Sequence, residues 1–301
     1  MTHAFKHPVP VVQGFFDPAT STVSYIVHDS ATGQAAIVDP VLDFTPRNAR
    51  TSTVSADRLL ATIRDQGLDL RYLLETHAHA DHLSAGHYLR EKTGAPVVIG
   101  ANITLVQAAF ADLFEAEDVA RDGSAFDRLV RDGDVLALGE SEIRVMHTPG
   151  HTPACVTYLI GDAAFVGDTL FMPDYGTART DFPGGDAATL YRSIRNILEL
   201  PSETRVFTGH DYPPASRSEP AWEASVAEQR RGNVHIHDGV EEAGFVAMRQ
   251  ARDATLEAPL LILPSLQVNI RAGRLPPAES NGVSFLKIPL SMKSSPPIPT
   301  D

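Results

Sequence analysis

Four apolar runs in this chain each lead into a side chain able to hold a metal ion, and that pattern constrains the fold more than any other feature. Tyr72-Leu73-Leu74 runs into Thr76-His77-Ala78-His79-Ala80-Asp81-His82. Residues 143–146 lead to His151 through Thr148-Pro149-Gly150, residues 163–166 reach Asp168 through Gly167, and Val206-Phe207 reaches His210 through Gly209. Short apolar runs of this kind read as buried strands. Strand ends gathered on one edge of a layered sheet are where α/β proteins build sites. The densest stretch, residues 77–82, puts three imidazoles and a carboxylate together, the nitrogen and oxygen donors that suit zinc or iron. His77 and His79 alternate to one side of an extended loop. Asp81 and His82 are expected on the first turn of a helix that carries Leu83, Tyr88 and Leu89 and stops at Gly94. A loop serving only solubility has no reason to concentrate histidine this way.

The remaining pattern fills in the layers. Residues 23–27 and 35–38 are strand-like, with a hairpin turn at 29–33. Residues 56–66 carry Leu59, Leu60 and Ile63 on one face and stop at Gly67, which predicts a helix with a glycine cap. Residues 97–99, 135–138 and 156–160 are further strands. Asp186 reads as the N-cap of a helix whose apolar face is Leu190, Ile194, Ile197 and Leu198. Strands and helices in both halves predict an α/β chain with sheet on sheet and helices outside. The expected division is a catalytic domain over 1–225 and a C-terminal extension over 226–301. The apolar patches of that extension, at 260–263 and 266–270, must pack on the core or on a second subunit. Symmetric dimers are the commonest soluble assembly, so a homodimer is expected. The last residues, from Ser294, read as a disordered tail.

Composition narrows the partners. Lys+Arg number 25 against 38 Asp+Glu, a net charge of −13 with no basic run, which argues against nucleic acid and anionic membrane surfaces. A single cysteine, Cys155, rules out an internal disulfide and a cysteine-rich metal site, and it reads as a small buried hydrophobe. No apolar leader and no run long enough to span a membrane is present, so a cytoplasmic protein is expected.

On these residues the chain resembles the metallo-β-lactamase superfamily. The H-x-H-x-D-H run at 77–82, followed by His151, Asp168 and His210, matches that family's metal signature in order and spacing from about residue 11 to 212. The resemblance implies an αββα sandwich with the metal at one edge between the sheets. The signature marks a fold shared by lactamases, glyoxalase II, nucleases, flavoproteins and dioxygenases, so the reaction must come from the surroundings. Gly176-Thr177-Ala178-Arg179-Thr180-Asp181-Phe182 is similar to the G-x-x-R-T-D-F stretch of persulfide dioxygenases. Cys155-Val156-Thr157-Tyr158, Leu266-Gln267-Val268-Asn269-Ile270-Arg271-Ala272-Gly273 and Leu286-Lys287-Ile288-Pro289 also resemble that branch.

That branch implies one ferrous ion held by His77, His151 and Asp168, and oxidation of glutathione persulfide by O2 to sulfite and glutathione. His79, Asp81, His82 and His210 would orient ligands or serve a second metal, and Arg179, Asp181 and Tyr212 would contact substrate. For Arg179 and Asp181 the plainer alternative is a structural salt bridge on a loop. A zinc-dependent hydrolase of a thioester, lactone or β-lactam, like glyoxalase II, competes with the dioxygenase because the full ligand set accommodates two metals. A non-catalytic scaffold is disfavoured, since buried histidines and carboxylates are costly to keep without a ligand. His147 is expected to satisfy backbone groups, and His235 and His237 are expected to lie outside the metal site.

Overall fold

The computed structural model describes residues 9–215 and 217–290. Two six-stranded sheets form its centre. The first runs, in spatial order, through Val11–Asp17, Thr22–His28, Gln34–Val38, Asp69–Leu74, Val97–Gly100 and Arg128–Val130. Its first three strands are antiparallel and the rest join in parallel. The second runs through Val135–Leu138, Ser141–His147, Val156–Ile160, Ala163–Gly167, Arg205–Thr208 and Glu223–Ser225. All its pairings are antiparallel except that between Ala163–Gly167 and Arg205–Thr208.

Strand alternation builds the layers, because successive side chains point to opposite faces. Val23, Tyr25, Val27, Ala36, Val38 and Leu74 face Leu136, Ile143, Val145, Tyr158, Phe165 and Phe207 between the sheets. Ile26, Ile37, Leu73 and Val97 point outward under the helices Val54–Asp65, Gly86–Thr93, Ile103–Phe114 and Ile262–Asn269. On the far side, Ala164, Val166 and Val206 lie under Ala187–Leu198, Val226–Gly232 and Glu242–Asp253. The order is helix, sheet, sheet, helix, as expected. Among the described residues, no helix is long and apolar enough to cross a membrane. The expected tail from Ser294 lies outside the described residues.

The element expected to begin near Asp81 differs. Leu83–Ser84 is a short strand paired with Val41–Thr45, and the helix starts only at Gly86. Distant partners cause this. Ser84 N donates to Asn269 Oδ1 at 2.8 Å and Ala85 N to the Pro40 carbonyl at 2.8 Å, so bonds a helical turn would have made locally go elsewhere. Asp81 and His82 therefore sit in a loop held from outside, and not on a helical turn.

Candidate metal centre

The apolar runs do converge on one edge. Asp69–Leu74 delivers Glu75, Thr76 and His77, and Gln34–Val38 beside it delivers Asp39 in a left-handed conformation (φ 48°). That backbone is uncommon for a residue with a Cβ and has to be held by its surroundings. Thr76 N and Oγ1 donate to the two Asp39 oxygens at 2.7 and 2.8 Å, which holds it. The strand Ala163–Gly167 ends in a glycine at φ 51°, where a Cβ would come 2.4 Å from Thr76 Oγ1. Only glycine allows the second sheet to carry Asp168 this close to the first.

His77 Nε2 and His151 Nε2 each lie 3.7 Å from Asp168 Oδ2, and one ligand atom from each of the three residues falls within 4.8 Å of the others. Hydrogen bonds assign the tautomers. Thr76 spends its hydroxyl proton on Asp39, so His77 Nδ1, 3.0 Å from Thr76 Oγ1, carries its own proton and leaves Nε2 with a lone pair. His151 Nδ1 lies 2.8 Å from the Arg179 carbonyl and donates to it. His210 is spent differently: Nδ1 lies 2.6 Å from Asp168 Oδ1 and Nε2 2.5 Å from Asp81 Oδ2. One Asp168 oxygen is thus tied to His210 while the other faces His77 and His151.

Behind this triangle, His79 Nε2 is 3.1 Å from Asp39 Oδ1 and 3.5 Å from Glu75 Oε2. His82 Nδ1 lies 3.1 Å from the Leu83 carbonyl, which turns its Nε2 inward. Burial opposes every charge here. It holds the His77 imidazole well below its usual range, with His79 adding repulsion. His79 goes the other way, because Asp39 and Glu75 outweigh burial. Burial pushes Asp168 up, yet His210, His77 and His151 together hold it well below the usual carboxylate range. A neutral His77 beside an ionised Asp168 is the protonation a metal site requires.

The donor set fits a metal ion. His77 Nε2, His79 Nδ1 and His82 Nε2 are all buried without a hydrogen-bond partner, whereas His79 Nε2 faces Asp39 and Glu75. Each such atom costs about 1–3 kcal/mol, and a bound cation would satisfy the lone pairs gathered here. Asn269 braces the loop from the C-terminal helix: its Nδ2 donates to the His79 and His82 carbonyls, both at 2.8 Å.

A cavity of about 260 Å³ opens onto His151 and Asp168. Phe171, Tyr175, Tyr212 and Phe182 form its aromatic wall, and Arg179, Arg249 and Arg252 lie around it. Tyr212 stacks on His210 with ring centroids 5.6 Å apart. Arg179 and Asp181 form a two-pronged ion pair, Nε to Oδ1 at 2.6 Å and Nη2 to Oδ2 at 2.5 Å. Arg179 lines the cavity, whereas Asp181 stands behind it and does not. Cys155 is buried against Thr152 and its thiol is pushed up to about 12 by burial. His147 bonds the Pro153 carbonyl at 3.0 Å, as expected. His235 is away from the triangle and accepts from Thr177 N at 3.0 Å.

Asp39, Glu75, Asn269, Tyr175 and the Arg249–Asp253 pair were not anticipated. Asp39 and Glu75 carried the same signal as the ligands, a polar residue closing an apolar strand. Asn269 lies in a stretch similar to the dioxygenase branch, but nothing local tied it to the metal loop, because its partners lie 185 to 190 residues away.

Fold and cluster together define the class: the chain belongs to the metallo-beta-lactamase superfamily, whose family model matches residues 17–210. It is 58% identical to a probable metallo-hydrolase of Burkholderia pseudomallei, over 93% of this chain and 98% of that protein. It is 31% identical to the mitochondrial persulfide dioxygenase ETHE1 of Homo sapiens, over 87% of this chain and 89% of that one. The crystal structure of ETHE1 from Myxococcus xanthus matches with a TM-score of 0.71 at 34% identity, covering 88% of this chain and all (100%) of that one.

Proposed function

We propose that this chain is a mononuclear non-haem iron persulfide dioxygenase that oxidises glutathione persulfide with O2 to sulfite and glutathione. The observation that carries the reading is the triangle of His77, His151 and Asp168 opening onto the aromatic cavity lined by Arg179. Two histidines and one carboxylate on one face leave open positions, the pattern of oxygen-using ferrous sites. Ferrous iron bound there supplies redox exchange with O2 and a Lewis-acidic seat for a persulfide sulfur. The similarity to persulfide dioxygenases supports the same reaction.

The chain's own residues perform the rest. Phe171, Tyr175, Phe182 and Tyr212 present aromatic ring faces to the cavity against which the substrate packs. Asp181 takes the Nε–Nη2 fork of Arg179 and the Glu257 carbonyl takes Nη1, so the guanidinium is fixed at the cavity wall. It meets an anionic group of the substrate through its remaining N–H bonds with little ordering cost. His210 bonds one Asp168 oxygen and Asp81 together, which orients both carboxylates.

A second reading rests on His79 Nδ1 and His82 Nε2, which are buried, unpartnered and grouped with Asp81 within 4.8 Å. These three would complete a two-zinc hydrolase site, consistent with the name of the Burkholderia relative. Metal counting on two variants separates the readings. One iron lost in His77→Ala and kept in His82→Ala supports the dioxygenase. Two zinc ions, one of them lost in His82→Ala, supports the hydrolase.

A further inference from the structure

We infer that the helix Glu242–Asp253 clamps the metal centre from outside, with Asp253 and Arg249 as positioning residues that fix the His151 ring. The clamp requires His151 to be a metal ligand, as proposed above, whatever reaction follows. Both residues are charged and almost fully buried, Arg249 1% exposed and Asp253 5%. Burying an ion pair is costly unless its remaining polar atoms are satisfied, so what the pair holds matters.

It holds residues 177–180. Arg249 Nε donates to Asp253 Oδ1 at 2.9 Å, and its Nη1 donates to the Thr177 carbonyl at 3.1 Å. Asp253 Oδ2 accepts from Thr180 N at 2.9 Å and from Thr180 Oγ1 at 3.0 Å. Arg179, between the two threonines, donates through Nη1 to the Glu257 carbonyl at 2.7 Å. His235 accepts from Thr177 N on the same side. The stretch is therefore anchored at both ends and in the middle to the C-terminal segment.

Its other side presents the Arg179 carbonyl to His151 Nδ1 at 2.8 Å. That bond keeps the proton on Nδ1 and turns the Nε2 lone pair toward Asp168. Partners of this kind set both tautomer and ring orientation in metal sites. Phe182, edge-on to His151 with centroids 5.1 Å apart, follows two residues after Thr180 and moves with it. Loosening Asp253 or Thr180 thus shifts the acceptor and the ring that steer His151, without touching a ligand.

The test uses the full chain loaded with cobalt(II), read by chelator competition and by its visible spectrum. Asp253→Asn is expected to weaken cobalt binding about 10–100-fold and shift the spectrum. Thr180→Val shifts both in the same direction, and Thr180→Ser, which keeps the hydroxyl, restores them. Tyr191→Phe is the control: it removes the bond from Tyr191 Oη to the Val240 carbonyl (2.9 Å), which ties down the same segment away from the stretch. It is expected to lower Tm and leave the cobalt signal unchanged. Wild-type affinity and spectrum in Asp253→Asn and Thr180→Val would overturn the clamp, as would an equal loss in Tyr191→Phe. If Asp253→Asn fails to fold, the two Thr180 variants decide. A wild-type chain that binds no cobalt overturns the clamp together with the ligand assignment. One that shows the variant pattern, but no persulfide-driven O2 uptake in its iron form, upholds the clamp and contradicts only the reaction.

Discussion

His235 accepts from Thr177 N through Nδ1, which demands a neutral ring, and burial followed by Arg249 and Arg252 lowers its pKa to about 4. The folded value lies below the unfolded value of about 6.5, so the unfolded chain takes up the proton first. The contribution of His235 is present above about pH 6.5 and is lost as pH falls toward about 4. His235→Gln keeps an acceptor without titrating, and it is expected to flatten the decline in Tm across that window. An unchanged decline would show that His235 contributes nothing to it. Cys155, with its thiol pushed up to about 12, is expected to resist iodoacetamide at pH 8 until the protein unfolds. Rapid labelling of the folded chain would contradict that. The inert reading of Cys155 was available because a lone cysteine is more often a small buried hydrophobe than a reactive thiol. Asp39 and Glu75 carried the same strand-end signal as the ligands, but not their role as partners of His79. Asp39 meets that ring from the neighbouring strand end and Glu75 from four residues earlier, where the loop turns the imidazole back.

At the scale of elements, Ala187–Leu198 was legible because all its signals are local. Asp186 accepts from Thr189 N at 2.7 Å, and Leu190, Ile194 and Ile197 are buried along one face. Asp186→Ala is expected to cost about 1 kcal/mol and Ile194→Ala about 2–5 kcal/mol, read as shifts in denaturant midpoint. A smaller effect for Ile194→Ala than for Asp186→Ala would contradict the packing described. Ile103–Phe114 escaped notice because apolar residues surround nearly its whole circumference, which blurs the helical period. The strands Arg50–Ser52 and Leu83–Ser84 are too short to carry any period. Asn269 decides the path of the metal loop from a distance, so no local pattern around residue 81 could have placed it. Asn269→Ala leaves two carbonyls and one N–H unsatisfied. It is expected to lower both Tm and metal affinity, and a change in neither would show that the loop holds itself.

Over the whole molecule, the segment beyond residue 226 contributes to both outer helix layers and to the metal loop. We propose that the division at 225 marks a change of composition more than of independence. A chain truncated after Arg231 loses Arg249, Asp253 and Asn269 and is expected to be insoluble or metal-poor; a soluble truncation with full metal content would contradict this. The expected homodimer is also a proposal. Leu260 (87% exposed) and Ile288 (68%) share one apolar groove with Phe285, and sedimentation of the full chain should give twice the chain mass. The central claim concerns the reaction at His77, His151 and Asp168. Its most direct measurement is O2 consumption by protein purified anaerobically and loaded with ferrous iron, on addition of glutathione persulfide. The expected result is uptake that yields sulfite, scales with iron up to one ion per chain and vanishes in His77→Ala. No uptake from the iron form, alongside brisk thioester hydrolysis by a form holding two zinc ions, would contradict it.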